Sequence, residues 1–334
     1  MSSPTSRLAW IDVLRGLAVV GMIETHVINA FLDKSFDSAR WLHELKYYDG
    51  LIAPGFFWIA GYVQGLAIRR QQRDDKPVVT VQRLQRLGLI ALVGYFLHVP
   101  WDYWMKGDFS AESWRILLQT DVLQCLAASL VIIMFIGQHK RTWFDSMLLL
   151  LAVMVVGLSP CVAGWHTGFM PLDAWLHHDT GSLFPLFPWF AFAAAGALAS
   201  RREPRAVVYF TLGLAFIMAG YVFAPQHFLY QHPAFFVERL GYLLIIVWLV
   251  MRVSAWLAPR WLQLAGRESL LVYVAHLIII YSLPIGGVPL NQRIGRTLSL
   301  PAVLFVFVVL LTVCLGLAWL NERSKTRVKN ATPA

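Results

Sequence analysis

Apolar residues run along most of this chain in long stretches, and short polar segments separate one stretch from the next. A helix needs about 20 consecutive apolar residues to cross the hydrocarbon core of a bilayer. The pattern therefore predicts an all-α fold, a polytopic transmembrane helix bundle of about ten spans. The predicted spans are 9–31, 47–68, 82–100, 117–137, 144–164, 184–200, 205–224, 236–255, 262–283 and 301–320.

The composition agrees with a protein that lies within a membrane. Of the 334 residues, 58% are hydrophobic and only 14% are charged, and the mean hydropathy is +0.59. A soluble globular chain carries about 25% charged residues. We therefore expect residues 1–334 to form one integral-membrane domain that ends in a basic tail at 321–334. The expected location is a bacterial inner membrane, in which the chain passes many times.

The positive charges predict how the spans are oriented. Lys and Arg concentrate in the cytoplasmic segments of membrane proteins. With the N-terminus inside, sixteen of the 28 Lys and Arg residues fall in inner segments and seven in outer loops. Both termini and the basic tail are therefore predicted to be cytoplasmic. The net charge of +9 follows from this bias, so we do not expect nucleic acid as a partner.

Neither the three cysteines nor the neighbouring histidines His177 and His178 have a spacing that indicates a metal site. Cys125, Cys161 and Cys314 are scattered, with neither a disulfide pattern nor a metal-ligand spacing. His177 and His178 are neighbours, but neither has a histidine partner four positions away. We therefore expect no metal cofactor.

Two ionisable residues lie within the first predicted span. Arg15 and His26 are eleven positions apart, which is about 1100° of helical rotation, so their side chains share one face. The helical rise separates them by roughly 16 Å along the axis. Ionisable groups inside a membrane are costly and usually mark a pathway or a site. Arg15 would lie toward the cytoplasm and His26 toward the outer side.

Other polar residues are predicted at the same two depths. Asp12 is three positions before Arg15 and suits a helix-surface ion pair. The outer group contains Asp49 and Asp121, and the ninth span starts inside with Arg267. In that span, Ser269 and His276 are seven positions apart and share a face. The polar residues that we select as substrate-contacting or supporting residues are Asp12, Asp121, Ser269 and His276.

Each of these residues also has a purely structural interpretation. His276 could be hydrogen-bonded to a neighbouring helix, and Asp12 and Arg15 could form a structural ion pair. Arg69 and Arg70 could be membrane-interface anchors, because cationic side chains are common at that depth. The sequence leaves these alternatives open.

Four segments resemble known integral-membrane acyltransferases. RLAWIDVLRGLAVVGMIETH (7–26) is similar to the Arg/Lys-x10-His signature of the type 3 membrane acyltransferases, and YYDGLIAPGFFWIAGYVQGLAIRR (47–70) resembles their second span. LFPLFPWFAFAAAGALA (183–199) and LAGRESLLVYVAHLIII (264–280) resemble the heparan-alpha-glucosaminide N-acetyltransferase-like family. The resemblance covers nearly the whole chain.

The resemblance implies transfer of an acyl group across the membrane. The donor would be cytoplasmic acetyl-CoA or another acyl-CoA, and the acceptor a hydroxyl or amine of an outer glycan or glycolipid. His26 would be the general base and Asp49 would orient its ring. The heparan-type pattern places the base before the second span, which here selects His43. The cations expected to bind the CoA phosphates are Arg15, Arg69, Arg70 and Arg267.

The alternative function is a transporter or flippase for an anionic lipid or glycan. Buried Arg and His residues would then bind the substrate or relay protons. The sequence shows no convincing inverted repeat, so we favour the enzyme. Membrane lipids are expected partners in both cases, and a homodimer is possible.

Overall fold

The computed structural model describes residues 9–139, 141–201, 205–223, 230–254, 256, 258–285 and 288–331. Over these residues the fold is helical apart from one pair of two-residue antiparallel strands, β1 (Pro284–Ile285) and β2 (Val288–Pro289). The all-α prediction is therefore confirmed. The described α-helices are α1 Ala9–Phe31, α2 Arg40–Asp49, α3 Ile52–Arg73, α4 Val81–Leu97, α5 Trp101–Trp104, α6 Ala111–Leu118, α7 Val122–Ile136, α8 Arg141–Ala163, α9 Met170–Leu176, α10 Leu186–Ala199, α11 Ala206–Phe223, α12 Pro233–Val253, α13 Arg260–Arg267, α14 Ser269–Leu277, α15 Leu290–Ile294 and α16 Leu300–Ala331.

Each of the ten predicted spans coincides with helix, but their lengths and compositions differ. Among the described residues, five helices are long and apolar enough to cross a membrane, and the number rises to seven if two bent helix pairs each count as one span. These helices support an integral membrane protein. The number of ten and the cytoplasmic placement of the termini stay predictions.

Two predicted spans are bent rather than continuous. Helices α6 and α7 meet at 53° around 119–121, inside the region predicted as the fourth span. Helices α13 and α14 meet at 79° next to Glu268, within the ninth predicted span. The sequence analysis missed both bends, although polar residues lie at each of them, at 119–121 and at 267–269. After α14, the chain changes to a π-helix at Ile278–Ser282.

The chain forms two compact units, residues 1–52 with 247–334, and residues 53–246. In the first unit, α1 packs directly against α13, backbone to backbone. A Cβ atom added at Gly16 would collide with the carbonyl of Leu262, and one added at Gly266 would collide with the carbonyl of Asp12. Glycine is therefore required at both positions for the two helices to approach this closely.

The end of α1 is tied to the segment that precedes α16. The amide of Leu298 donates to the carbonyl of Phe31 at 2.9 Å, and the amide of Asp33 donates to the carbonyl of Leu298 at 3.0 Å. The Arg296 guanidinium also donates to Asp37, with 3.0 Å between Nη1 and Oδ2. This hydrogen bond holds the pKa of the Asp37 carboxyl below its usual value. These bonds fix the end of α1 that carries His26.

In the second unit, α10 is the central buried helix. It packs against α7 and α8, and its residues from Pro188 to Ala197 are almost all buried. A Cβ at Gly61 of α3 would collide with the Ala193 carbonyl, and one at Gly196 would collide with the Trp58 carbonyl. This close approach brings the ends of α3 and α10 together, where their polar side chains meet.

Candidate active site

His26 lies in the first unit beside the rings of His276 and Tyr281, which come much later in the chain. Its Nδ1 is 3.2 Å from the hydroxyl oxygen of Tyr281. The ring centroid of His26 is 5.2 Å from that of His276 and 5.6 Å from that of Tyr281. We call His26, His276 and Tyr281 the histidine cluster. Its three residues come from α1, from α14 and from the π-helix that follows α14.

The surroundings of His276 determine which of its nitrogens carries a proton. The ring is fully buried, and its Nδ1 is 2.9 Å from the carbonyl oxygen of Val272, so Nδ1–H must donate to that oxygen. In the neutral ring, Nε2 is then an acceptor, and it has no hydrogen-bond partner among the described residues. His276 therefore offers a fixed lone pair in the interior of the unit.

Asp49 bonds to the residues directly before His26 in α1. Its carboxyl shares a hydrogen bond with that of Glu24 and also contacts the hydroxyl of Thr25. A hydrogen bond between two carboxyls requires that one of them carry a proton. Glu24 was not selected from the sequence, because nine positions, about 900° of helical rotation, place it on the face opposite Arg15. The hydrogen bonds of Asp49 therefore reach Thr25 and Glu24 of α1, which lie one and two positions before His26.

His43, the second candidate base, has a different environment. It lies on α2, is exposed, and its Nδ1 is 3.1 Å from the carbonyl of Ala39 in the same turn. This bond fixes the ring of His43 as the corresponding bond fixes His276, but His43 is exposed to solvent and does not belong to the cluster of rings around His26. The surroundings of His26 are the better candidate site.

Arg15 and Asp12 lie near the beginning of α1. Helix α1 is unbroken from Ala9 to Phe31, so the predicted register between Arg15 and His26 applies to the structure. Asp12 is 4% exposed, and Arg15 is half-buried. The backbone carbonyl of Asp12 packs against Gly266 of α13.

The bend between α13 and α14 holds three polar residues, of which Arg267 and Ser269 were selected from the sequence. Arg267 donates to Glu322 of α16, with 2.7 Å between Nε and Oε1. Buried Glu268 accepts from Asn321 at 2.8 Å and from Lys325 at 2.7 Å. Ser269 begins α14 and is half-buried. Arg267 therefore has a carboxylate partner that would compete with a phosphate for its charge.

In the second unit, Arg69 belongs to a polar cluster around buried Arg201 that the sequence did not predict. Arg69 donates to the carbonyls of Ser200 and Arg201, each at 3.3 Å. Arg201 is 4% exposed and bonds to Asp145 at 2.9 Å and to Gln72 at 3.1 Å. Its guanidinium also lies 4.8 Å above the Phe144 ring. We call Arg69, Gln72, Asp145 and Arg201 the arginine cluster.

The arginine cluster borders a cavity of about 2210 Å³. The cations that line it are Arg69, Arg73, Lys76, Arg201 and Arg205, and the acids are Asp75 and Asp145. Much of the remaining wall is formed by aliphatic and aromatic side chains of α8, α10, α11 and α12. A cavity with this mixture suits a ligand that has an anionic end and an apolar end. Arg70, in contrast, is exposed and is not part of the lining.

Asp121 pairs with His98 in this unit. One carboxylate oxygen accepts from the amide of Val122 at the start of α7, and the other is 3.4 Å from Nε2 of His98. Nδ1 of His98 is 2.9 Å from the carbonyl of Gly94. His98 was not selected from the sequence, because α4 and α7 become neighbours only in the folded unit.

These features define an integral-membrane helical protein with ionisable side chains buried inside its units. The family comparison makes the class specific: the model of an acyltransferase domain matches residues 8–319. The chain belongs to the acyltransferase 3 family. The matched region includes the histidine cluster and the arginine cluster. No curated protein matches the chain.

Proposed function

We propose that this protein moves an acetyl or other short acyl group from cytoplasmic acyl-CoA to a hydroxyl or amine of an extracytoplasmic glycan or related acceptor. The family supports acyl transfer in general. The observation that carries the finer proposal is the pairing of half-buried His26 with Tyr281 and His276. The likeness to the heparan-alpha-glucosaminide N-acetyltransferase-like family stays a resemblance of two spans.

In the proposed reaction, the acceptor oxygen or nitrogen attacks the thioester carbonyl, and His26 removes its proton. The bond from the acyl carbon to sulfur breaks, and CoA leaves as a thiol after it takes up a proton. For Nε2 of His26 to act as base, Nδ1 must hold a proton and donate it to the Tyr281 oxygen. Asp49 is hydrogen-bonded to Glu24 and Thr25, the two residues that precede His26. Its negative charge is proposed to stabilise the imidazolium that forms when His26 takes the proton.

The donor is proposed to bind through cationic side chains. Arg15 lies on the same helix as His26, roughly 16 Å toward its beginning, and acyl-CoA has phosphates at one end and a thioester at the other. Within the second unit alone, Arg69 and its neighbours are the alternative candidate for binding the CoA phosphates, at their own cavity. Arg70 and Arg267 are the weaker candidates, because the former is exposed and the latter is paired with Glu322. A thioester is already activated, so this step requires no metal.

The proposed function can be tested in proteoliposomes that enclose radiolabelled acetyl-CoA. Extracted membrane glycolipids are supplied outside, and both labelled lipid and free CoA thiol are measured. We expect the two products to appear together, in equal amounts. Passage of glycolipid or glycan across the membrane without release of CoA would contradict the enzyme and support a transporter.

Arg15→Ala should weaken binding of acetyl-CoA more than Arg15→Lys does. A guanidinium can form paired hydrogen bonds to a phosphate, and lysine keeps the charge while losing that geometry. Isothermal titration of acetyl-CoA into detergent-solubilised protein measures the dissociation constant. We expect a loss of at least about tenfold in Arg15→Ala, since a charge-assisted hydrogen bond contributes about 1.5–3 kcal/mol. Equal affinity in wild type and Arg15→Ala would leave Arg15 with a structural role only.

His276→Phe should lower turnover, but less than loss of His26. Phenylalanine fills much of the same buried space while removing the Nε2 acceptor and the bond to the Val272 carbonyl. Because His276 is proposed to support the His26 ring and not to touch the acceptor, we expect kcat to fall with little change in KM. Steady-state kinetics with acetyl-CoA distinguish the two parameters. Unchanged kcat would remove His276 from the site.

The proposal that the acyl donor binds from the cytoplasm requires the turn after α3 to lie on the cytoplasmic side of the membrane. A single cysteine at exposed Asp75 should react with an impermeant maleimide only in broken cells, because the Lys and Arg distribution predicts that this turn is cytoplasmic. A cysteine at exposed Trp165, in a loop predicted to be outside, is the matched control and should react in intact cells. Labelling of Asp75→Cys from outside would reverse the proposed topology.

A further inference from the structure

A cluster of metal-binding side chains lies in the segment between α8 and α10. His166, Asp173 and His177 each offer one ligand atom, and these atoms all lie within 4.8 Å of one another. Asp173 and His177 are four positions apart, so the end of α9 directs both toward one point. The sequence analysis considered histidine partners only and therefore overlooked this carboxylate.

The buried ring of His177 is the independent sign that the cluster binds a ligand. His177 is 1% exposed, yet neither ring nitrogen has a hydrogen-bond partner among the residues that the structure describes. A buried polar atom without a partner is destabilising, because it has lost its hydrogen bonds to water. Its Nε2 lies 3.9 Å from Oδ1 of Asp173, too far for a hydrogen bond and close to the spacing of two ligands of one ion.

We propose that His166, Asp173 and His177 bind a Zn²⁺ ion. Two imidazoles and a carboxylate are ligands that zinc accepts, and magnesium and calcium prefer oxygen alone. Zinc bonds of about 2.0–2.1 Å in a tetrahedron place neighbouring ligand atoms about 3.3 Å apart. The 3.9 Å between His177 and Asp173 has to shorten by roughly 0.6 Å to reach this value, and the other ligand atoms, all within 4.8 Å, have to move closer as the ion binds.

The neighbouring groups support the same assignment. Asp179 lies 4.0 Å from Nδ1 of His177 and 3.6 Å from Nε2 of His166, where a carboxylate can accept from a ligating imidazole or complete the coordination. The Asp173 carboxylate is held by Thr167, whose hydroxyl donates at 2.6 Å and whose amide donates at 2.9 Å. Such bonds orient a ligand before the ion binds.

Zinc would join the two ends of the segment from His166 to His177. His166 precedes α9 and His177 follows it, so one ion shared by both would close this part of the chain into a loop. The expected consequence is slower hydrogen exchange of the backbone amides in 166–180 when zinc is present. This role is independent of the proposed acyl transfer.

The proposal can be tested with the full chain, free of any affinity tag, in detergent. The protein is stripped with a chelator, returned to buffer with ZnCl₂, and its zinc is measured by mass spectrometry and by titration. We expect about one zinc per chain, and visible ligand-field absorption when Co²⁺ replaces it. Failure of the wild type to bind zinc, or occupancy by Ca²⁺ or Mg²⁺ in preference to zinc, would overturn the proposal.

Three variants separate the site from adventitious binding. His166→Ala removes a ligand whose side chain is 56% exposed, so folding should survive, and zinc affinity should fall more than about 100-fold. Asp179→Asn should cost about 10–100-fold, the usual effect of a supporting carboxylate. His178→Ala is the matched control, because His178 bonds to the Ser182 carbonyl instead, and its zinc affinity should match wild type. Unchanged affinity in His166→Ala would refute the site.

Discussion

His26→Ala is expected to reduce acyl transfer by about 10²–10⁴-fold, the usual contribution of a general base. Alanine removes the nitrogen that would take the acceptor proton, and it leaves Tyr281 without the ring nitrogen that lies 3.2 Å from its hydroxyl. The side chain is only half-buried, so the variant should still fold and insert. Turnover of acetyl-CoA by the purified protein in proteoliposomes measures the loss.

Two further variants show whether the loss reflects proton transfer. Tyr281→Phe keeps the ring and removes the hydroxyl, so we expect a smaller fall in kcat and a shift in the pH profile of the remaining activity. His43→Ala should retain near-normal turnover, because His43 is exposed on α2. An inactive His43→Ala enzyme together with an active His26→Ala enzyme would move the base to α2.

Gly266→Ala should destabilise the first unit strongly for so small a change. The added Cβ would collide with the Asp12 carbonyl, so α13 and α1 must move apart along their contact. Overpacking of this kind costs about 1–3 kcal/mol and sometimes more, which corresponds to a fall of roughly 5 °C or more in the unfolding midpoint. Thermal unfolding in detergent, followed by intrinsic fluorescence, measures the shift.

Gly316→Ala provides the matched control in the same unit. Gly316 lies within α16, and nothing lies within 4 Å of the position that its Cβ would occupy. Alanine in an unhindered helix position usually stabilises by about 0.5–1 kcal/mol. An unfolding midpoint of Gly266→Ala that matches that of Gly316→Ala would show that the contact between α1 and α13 is not as close as described.

The arginine cluster illustrates what could not be predicted from sequence alone. Arg69 was selected from the sequence because it is a cation near the end of a predicted span. That selection needs no information about which helices lie next to it. Its neighbours Arg201 and Asp145 come from the ends of two other helices, 132 and 76 positions further along the chain. They meet because small residues let α3 and α10 approach closely, and no local pattern specifies which helices become neighbours.

The sequence by itself determined the helical class, the membrane character and the register of Arg15 with His26. These properties depend on apolar length and on the period of a single helix, which neighbouring residues specify. Only the tertiary structure decided what surrounds His26. An α-helix would turn Tyr281 about 140° away from His276, but the intervening π-helix changes that rotation, and the packing of distant helices brings both rings beside His26. Helix packing and local changes of helical winding act across the whole unit, so they are absent from the pattern of any one segment.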